Sequence, residues 1–487
     1  MNKLSANSAN RINNNAAVAN LPLISLITLL FSLWIFLFVD IYIISKLGII
    51  LCVITALKFV DVLGRAIPIR ELIVLLMLLQ LVVAPVISYN YFGNESYYPM
   101  EVEEGVYIDY VLFGIVASII GLYLKANPRK TNVTAIIDKI RMSRVKNNKL
   151  GISLIFIGFA SFFILPIVPA SVQFFFLLLS NLRFIGLFYI VFSNNRYRLI
   201  WLLIVYGSFA YNIIGEGLFI NLFIWGLFLF IILSFQYEFR YGIRLGLFIS
   251  GFLIAFFVQT FKEDYRKVVW KEEGEQEYVK SLQKGEKTKQ DVFLEMAAER
   301  AGDTEEIYEY SNLNKFIARI NQGWILTHVF NHVPSREPFT NGTLLIEDIS
   351  ASLIPRFLNP GKRTSGGEYG REKFMRFTGR YLQEGTRMTI GTFGDAYVNF
   401  GFYGGIVFMF FFGLFLNLIL KYIYSLSQNI YPSLMLWIPF IFLYAMRSGN
   451  EFLIILNHIV KSSFVVFVIF FLFRSSFRSA KILDRTK

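Results

Sequence analysis

At 487 residues the chain is long enough for about three soluble domains. A hydrophobic fraction of 55%, only 17% charged residues and a mean hydropathy of +0.54 exclude that class. The formal net charge of +13 would suggest nucleic acid in a soluble protein; here the placement of the basic residues gives it another meaning.

The apolar residues fall in blocks long enough to cross a bilayer, which takes about 20 residues each. After an Asn- and Ala-rich tail (1–20), too polar for a signal peptide, spans are expected near 21–39, 46–60, 70–89, 107–125, 150–168, 172–192, 198–213, 217–236 and 243–261. Three more follow near 396–420, 432–447 and 452–474. The expected class is an all-α polytopic membrane protein of about twelve helices. Its parts would be the 1–20 tail, nine spans over 21–260, one large loop over 261–393, three spans over 394–474 and a basic tail over 475–487. With the N-terminus inside, the cytoplasmic segments hold Lys3, Arg11, Arg65, Arg70, the basic run from Lys125 to Lys149, Arg196, Arg198, Arg240, Arg244, Lys421 and the C-terminal Arg474–Lys487 group. The short outer loops hold only Lys46 and Arg447. This asymmetry puts both termini in the cytoplasm and 261–393 outside it. Cys52 is the single cysteine, so no intrachain disulfide forms.

The large loop has two characters. Helical composition without proline marks 263–283, 290–310 and a third helix over 312–333, with Leu313, Ile317, Ile320 and Trp324 on one face and His328 at its edge. The densely charged amino half, 262–312, reads as structural or regulatory. From Pro334 to Gly391 the chain turns to Pro, Gly, Arg and short apolar pieces, with short helices or membrane-surface segments at 344–346 and 349–357. This carboxyl half is where chemistry is expected.

Four features are candidates for it. Arg356, Lys362, Arg363, Arg371, Lys373, Arg376, Arg380 and Arg387 form a cationic run. Guanidinium groups bind phosphate oxygens bidentately, so the run suits a diphosphate at a membrane surface; the plainer alternative is contact with anionic lipid heads. Arg183 lies midway along the sixth expected span, where an unpaired charge costs several kcal/mol and is functional by default. His328 and His332 are four apart, but no zincin glutamate or cysteine accompanies them, so no metal is expected; His328 is a candidate general base or a histidine packed on an apolar face. Last, Asp395 and Asn399 share one face of the loop-to-span junction Gly391–Gly405, as a base or as a helix cap.

The junction reads Gly-Thr-Phe-Gly-Asp-Ala-Tyr-Val-Asn-Phe-Gly-Phe-Tyr-Gly-Gly and runs into a long Phe/Leu span. With the preceding Leu353-Ile-Pro-Arg-Phe-Leu-Asn-Pro-Gly-Lys362, it resembles the bacterial O-antigen and oligosaccharide repeat-unit polymerases over about Arg319–Leu420. Many members carry Glu where this chain has Asp395. The resemblance implies an enzyme of the bacterial inner membrane acting on undecaprenyl-diphosphate-linked oligosaccharides. A hydroxyl of one lipid-linked unit would attack the anomeric carbon of the glycan on another, and the lipid diphosphate would leave. Asp395, His328 or Glu384 would be the base. Arg356, Lys362, Arg376, Arg380, Arg387, Arg319, Arg183 and Asn399 would bind the diphosphate or the glycan. No cofactor, no metal and no nucleic acid is implied; membrane lipids, and a flippase and a chain-length regulator of the same pathway, are the expected partners. A ligase with another acceptor shares this chemistry. A lipid-linked oligosaccharide transporter is the competing class, with binding groups at mid-membrane and repeated halves; the chain shows no internal repeat.

Overall fold

The computed structural model describes residues 20–125, 132–217, 219–237, 239–271, 276–302, 309–354 and 366–477. Among them the chain is helical, with no strand. In chain order the helices are α1 (Leu21–Phe38), α2 (Ile43–Val62), α3 (Ile69–Glu95), α4 (Glu104–Tyr123), α5 (Val133–Met142), α6 (Arg144–Ile164), α7 (Ala170–Ser180), α8 (Leu182–Val191), α9 (Arg198–Glu216), α10 (Ile220–Gln236) and α11 (Tyr241–Arg266). The loop contributes α12 (Gln276–Gln283), α13 (Lys289–Gly302), α14 (Tyr310–Ile320), α15 (Gly323–His332), α16 (Thr343–Leu353) and α17 (Gly367–Thr378). The last helices are α18 (Gly391–Asn429), α19 (Ile438–Phe442) and α20 (Phe452–Leu472).

Among the described residues, ten helical stretches are long and apolar enough to cross a membrane, and each overlaps an expected span. The spans expected at 217–236 and 432–447 are shorter apolar helices, Ile220–Gln236 and Pro432–Phe442. Two loop expectations change. The helix expected over 312–333 is broken: the buried Asn321 turns its side-chain oxygen onto the N–H groups of Gly323 (2.7 Å) and Trp324 (3.2 Å). It thereby starts α15 as a new helix, the local competition for which Asn is known. The pieces at 344–346 and 349–357 form one helix, α16, through Leu353.

The chain folds as two compact units, Met1–Ser143 with Ile320–Lys487, and Arg144–Arg319. The large loop is therefore divided between them, its charged amino half going with the second unit and its Arg- and Gly-rich half with the first. In the first unit α18 packs along α4. A side chain at Gly121 would run into the α18 backbone at Phe410 and Leu414, and one at Gly413 into the α4 backbone at Ser118. Small residues thus set the close approach of two membrane helices, as they do where apolar burial gives no preference. In the second unit α6 and α8 cross in the same way at Gly151 and Gly186.

Candidate functional site

The junction motif lies in the first unit. Gly391 begins α18 at φ 72°, and a Cβ there would meet the Ser448 carbonyl oxygen at 2.8 Å, so only glycine fits. Thr392 Oγ1 donates to the Asn450 carbonyl at 2.7 Å, and Thr389 Oγ1 to that of Gly449. These bonds bring the start of α18 onto the turn before α20. Gly401, at φ 66°, interrupts the helical backbone within the 39-residue α18.

A sealed ionic cluster forms where these segments meet. The Lys373 ammonium lies 2.5 Å from Asp395 Oδ1, 3.3 Å from Glu451 Oε2 and 3.7 Å from Asp348 Oδ2. All four residues are buried, the most exposed at 3%. Asp395 Oδ2 also accepts the Phe452 N–H (2.8 Å) at the start of α20, where a carboxylate is favoured by the exposed N–H groups. Burial works against the charge on Lys373, but Asp395, Glu451 and Asp348 outweigh it and hold its pKa well above the ordinary lysine value. Burial raises Glu451 to about 7; Lys373 opposes the rise, Asp395 and Asp348 add to it, and the Ile390 N–H opposes it. One cation facing three carboxylates would leave an excess negative charge in a dry interior, and a proton on Glu451 relieves part of it. Asp395, expected as a base, is thus committed on both oxygens. Asn399 is committed too: its Nδ2 donates to the Asp395 carbonyl (2.9 Å) and its Oδ1 accepts from Thr340 Oγ1 (2.8 Å).

A second cluster in the same unit is more open. Glu101, between α3 and α4, is anchored by its N–H to Thr327 Oγ1 (3.2 Å). Its Oε1 lies 3.3 Å from His328 Nδ1 and 2.6 Å from an Arg380 guanidinium nitrogen; its Oε2 accepts from Asn331 Nδ2 at 3.2 Å. Burial lowers the His328 pKa, Glu101 opposes this and Arg380 adds to it, so the imidazole is neutral at neutral pH. Tyr98 stacks on Trp324 at 4.5 Å between ring centroids, and Trp324 meets the His328 ring at right angles. The His328 side chain is 8% exposed, that of Glu101 28% and that of Arg380 58%. An imidazole, a carboxylate beside it and a guanidinium facing solvent are thereby brought together.

The rest of the expected set is spread out. Arg376 reaches Glu337 through both Nε (2.6 Å) and Nη2 (2.5 Å). Glu384 and Arg387 are exposed on the segment leading to α18. Arg356 and Lys362 lie outside the described residues. Arg183 and Arg319 belong to the second unit. There Arg183 is 3% exposed, with its guanidinium over Phe162 (4.5 Å), Phe184 (5.1 Å), Phe209 (5.4 Å) and Phe159 (5.6 Å). Its Nε and Nη1 make no hydrogen bond among the described residues, so ring faces stand in for a carboxylate. Sequence reasoning missed the partners Glu101, Asp348, Glu451 and the special place of Lys373. Only Lys373 carried a signal: it shares the buried stripe of α17 with Gly370, Phe374 and Phe377, an unusual position for lysine.

The fold defines an all-α, multi-pass membrane protein. Residues 308–438 match the family model described as "Putative O-antigen polymerase", so over this segment, from α14 into α19, the chain is similar to that family. The match spans α15, His328, Arg380 and the whole junction motif. No curated protein and no solved structure matches the chain. The matched segment supports a role in polysaccharide repeat-unit polymerisation, and with it a membrane enzyme of the glycosyltransferase type.

Proposed function

We propose that the protein polymerises lipid-diphosphate-linked oligosaccharide repeat units at the outer face of the inner membrane. The observation that carries the reading is the Glu101–His328–Arg380 cluster, of which His328 and Arg380 lie inside the segment similar to O-antigen polymerases. With Nδ1 beside Glu101 Oε1 at 3.3 Å, the tautomer that carries its proton on Nδ1 would leave Nε2 of His328 to accept the acceptor hydroxyl's proton. The acceptor oxygen bonds to the anomeric carbon of the donor glycan as that carbon's bond to the diphosphate oxygen breaks. The pair of electrons leaves with the lipid diphosphate, and the proton stays on the imidazole.

Arg380 serves the leaving group. Its guanidinium faces solvent at 58% exposure and holds only one side of Glu101. A diphosphate can engage its remaining N–H groups, most strongly as charge develops on departure. Asp395 acts at a distance from the chemistry: with Lys373 it fixes α17, and so the start of the segment bearing Arg380, against α18 and α20. The test is incubation of the purified protein in detergent with one lipid-linked repeat unit and no other acceptor. A ladder of lipid-linked polymer is expected. Transfer only after a different acceptor is added would make it a ligase, and movement of intact substrate across vesicles without any new glycosidic bond would make it a transporter.

A further inference from the structure

The loop between α3 and α4 carries aromatic rings that the proposed mechanism does not use. Tyr97 meets Tyr98 edge to face at 5.0 Å between ring centroids. Tyr98 stacks on Trp324 at 4.5 Å with 13° between the rings, and Trp324 meets His328 edge to face at 5.5 Å. The rings form a continuous strip from the loop to the proposed base. Tyr97 is 50% exposed, and Tyr98 and Trp324 are half-buried.

The backbone under the strip is tied down. The Tyr89 hydroxyl donates to the Val102 carbonyl (2.8 Å), Ser96 Oγ to that of Tyr98 (3.2 Å), and the Glu101 N–H to Thr327 Oγ1 (3.2 Å). The rings are thus in place before a ligand arrives, which lowers the ordering cost of binding. The charge of the loop selects the ligand. Residues 90–103 hold Glu95, Glu101 and Glu103 and no lysine or arginine. Such a loop disfavours phosphate and does not attract anionic lipid heads. Its carboxylates, and the exposed amides of Asn94 and Asn331, are instead partners for hydroxyl groups.

We propose that Tyr97, Tyr98 and Trp324 form a subsite for an uncharged pyranose ring of the acceptor glycan, seated next to His328. The pyranose face that carries the axial C–H bonds is apolar and slightly positive, and it lies well on the negative face of an aromatic ring. The hydroxyl groups are left at the rim of the sugar, toward Glu101 and Asn331, whose Nδ2 donates to Glu101 Oε2 at 3.2 Å. Because the strip ends at the imidazole, a sugar on it brings a hydroxyl to the base. Naming that sugar as the acceptor's rests on the proposed function, but binding of a glycan to the strip needs no turnover.

The probe is the repeat-unit oligosaccharide freed from its lipid by mild acid, which carries no diphosphate. It is titrated into the full-length protein in detergent and followed by saturation-transfer NMR, with the thermal midpoint of each variant recorded. Tyr97→Phe keeps the ring and is expected to bind as wild type. Tyr97→Leu keeps apolar bulk without a ring face and is expected to bind about tenfold more weakly, with its midpoint unchanged. Trp324→Leu is expected to lose at least as much, measured on its folded fraction. Equal binding by Tyr97→Leu and Tyr97→Phe, or no saturable binding by the wild type, would overturn the subsite. Unchanged glycan binding by Tyr97→Leu beside a lowered midpoint would make the strip an anchor at the membrane interface, and would overturn it as well. Ring-dependent glycan binding by a protein that makes no polymer would support the subsite while removing the polymerase reading.

Discussion

Two carboxylates of the first unit, Asp395 and Glu101, differ in how their surroundings use them. Asp395 is sealed at 3% exposure against Lys373 and the first N–H of α20. Glu101 reaches solvent and lies beside an imidazole and an exposed guanidinium. The motif that carries the family resemblance contains the first, and the loop between α3 and α4 supplies the second. A carboxylate next to a recognisable motif is therefore not the reactive one by position alone. Burial with fixed partners makes it part of the scaffold, whereas partial exposure with exchangeable partners leaves it free to act.

That contrast breaks most visibly at Lys373. Lys373→Met leaves the buried carboxylates without their cation, a loss of about 3–5 kcal/mol for an uncompensated buried charge. A sharply lower yield of folded protein and a lower thermal midpoint are expected. Adding Asp395→Asn should recover part of the loss, because the two residues share one interaction. A Lys373→Met protein as stable as wild type would show that the cluster is not what joins α16, α17, α18 and α20.

The open cluster should respond in rate, not stability. Arg380→Ala is expected to cost about 2–4 kcal/mol of stabilisation of the departing diphosphate, or about 30- to 1,000-fold in turnover. Arg380→Lys, which keeps the charge but loses the fork, should fall between the two. Thermal midpoints should stay close to wild type in both, and equal activity of all three proteins would remove Arg380 from the mechanism.

The smallest effect concerns pH. Glu451 has a folded pKa of about 7 against an ordinary 4.5. The stability that its proton contributes is full below the unfolded value and is lost as pH rises through 7. The thermal midpoint of the wild type is accordingly expected to fall between pH 5 and pH 8, and that of Glu451→Gln to fall less over the same range. Parallel curves would mean that Glu451 does not carry that proton.

The spans were legible because a stretch of about 20 apolar residues has few alternatives in lipid. Even the two shorter helices, Ile220–Gln236 and Pro432–Phe442, stand where apolar blocks were read. The break at Asn321 was not legible, since it depends on a side chain buried against Ser88, 233 positions away in sequence. The site was half legible for the same reason. His328 and Arg380 stood out by residue type, but their shared partner Glu101 is separated from Arg380 by 279 positions. Conversely, Asp395 and Asn399 were read from a motif whose local pattern says nothing about Lys373 or Thr340 closing over them. Arg319 and the cationic run were read as one set, whereas folding assigns Arg319 to the second unit and its Lys262–Arg266 neighbourhood.

The division between scaffold and reactive cluster is tested most directly by measuring polymerisation rate per folded molecule for His328→Gln and Asp395→Asn, with thermal midpoints recorded alongside. The account predicts that His328→Gln loses at least about 100-fold in rate, the scale of a general base, with an unchanged midpoint. It predicts that Asp395→Asn shows a lowered midpoint while its folded fraction retains most of the rate. The reverse pattern, a stable but inactive Asp395→Asn beside an active His328→Gln, would contradict it and return the base to the start of α18.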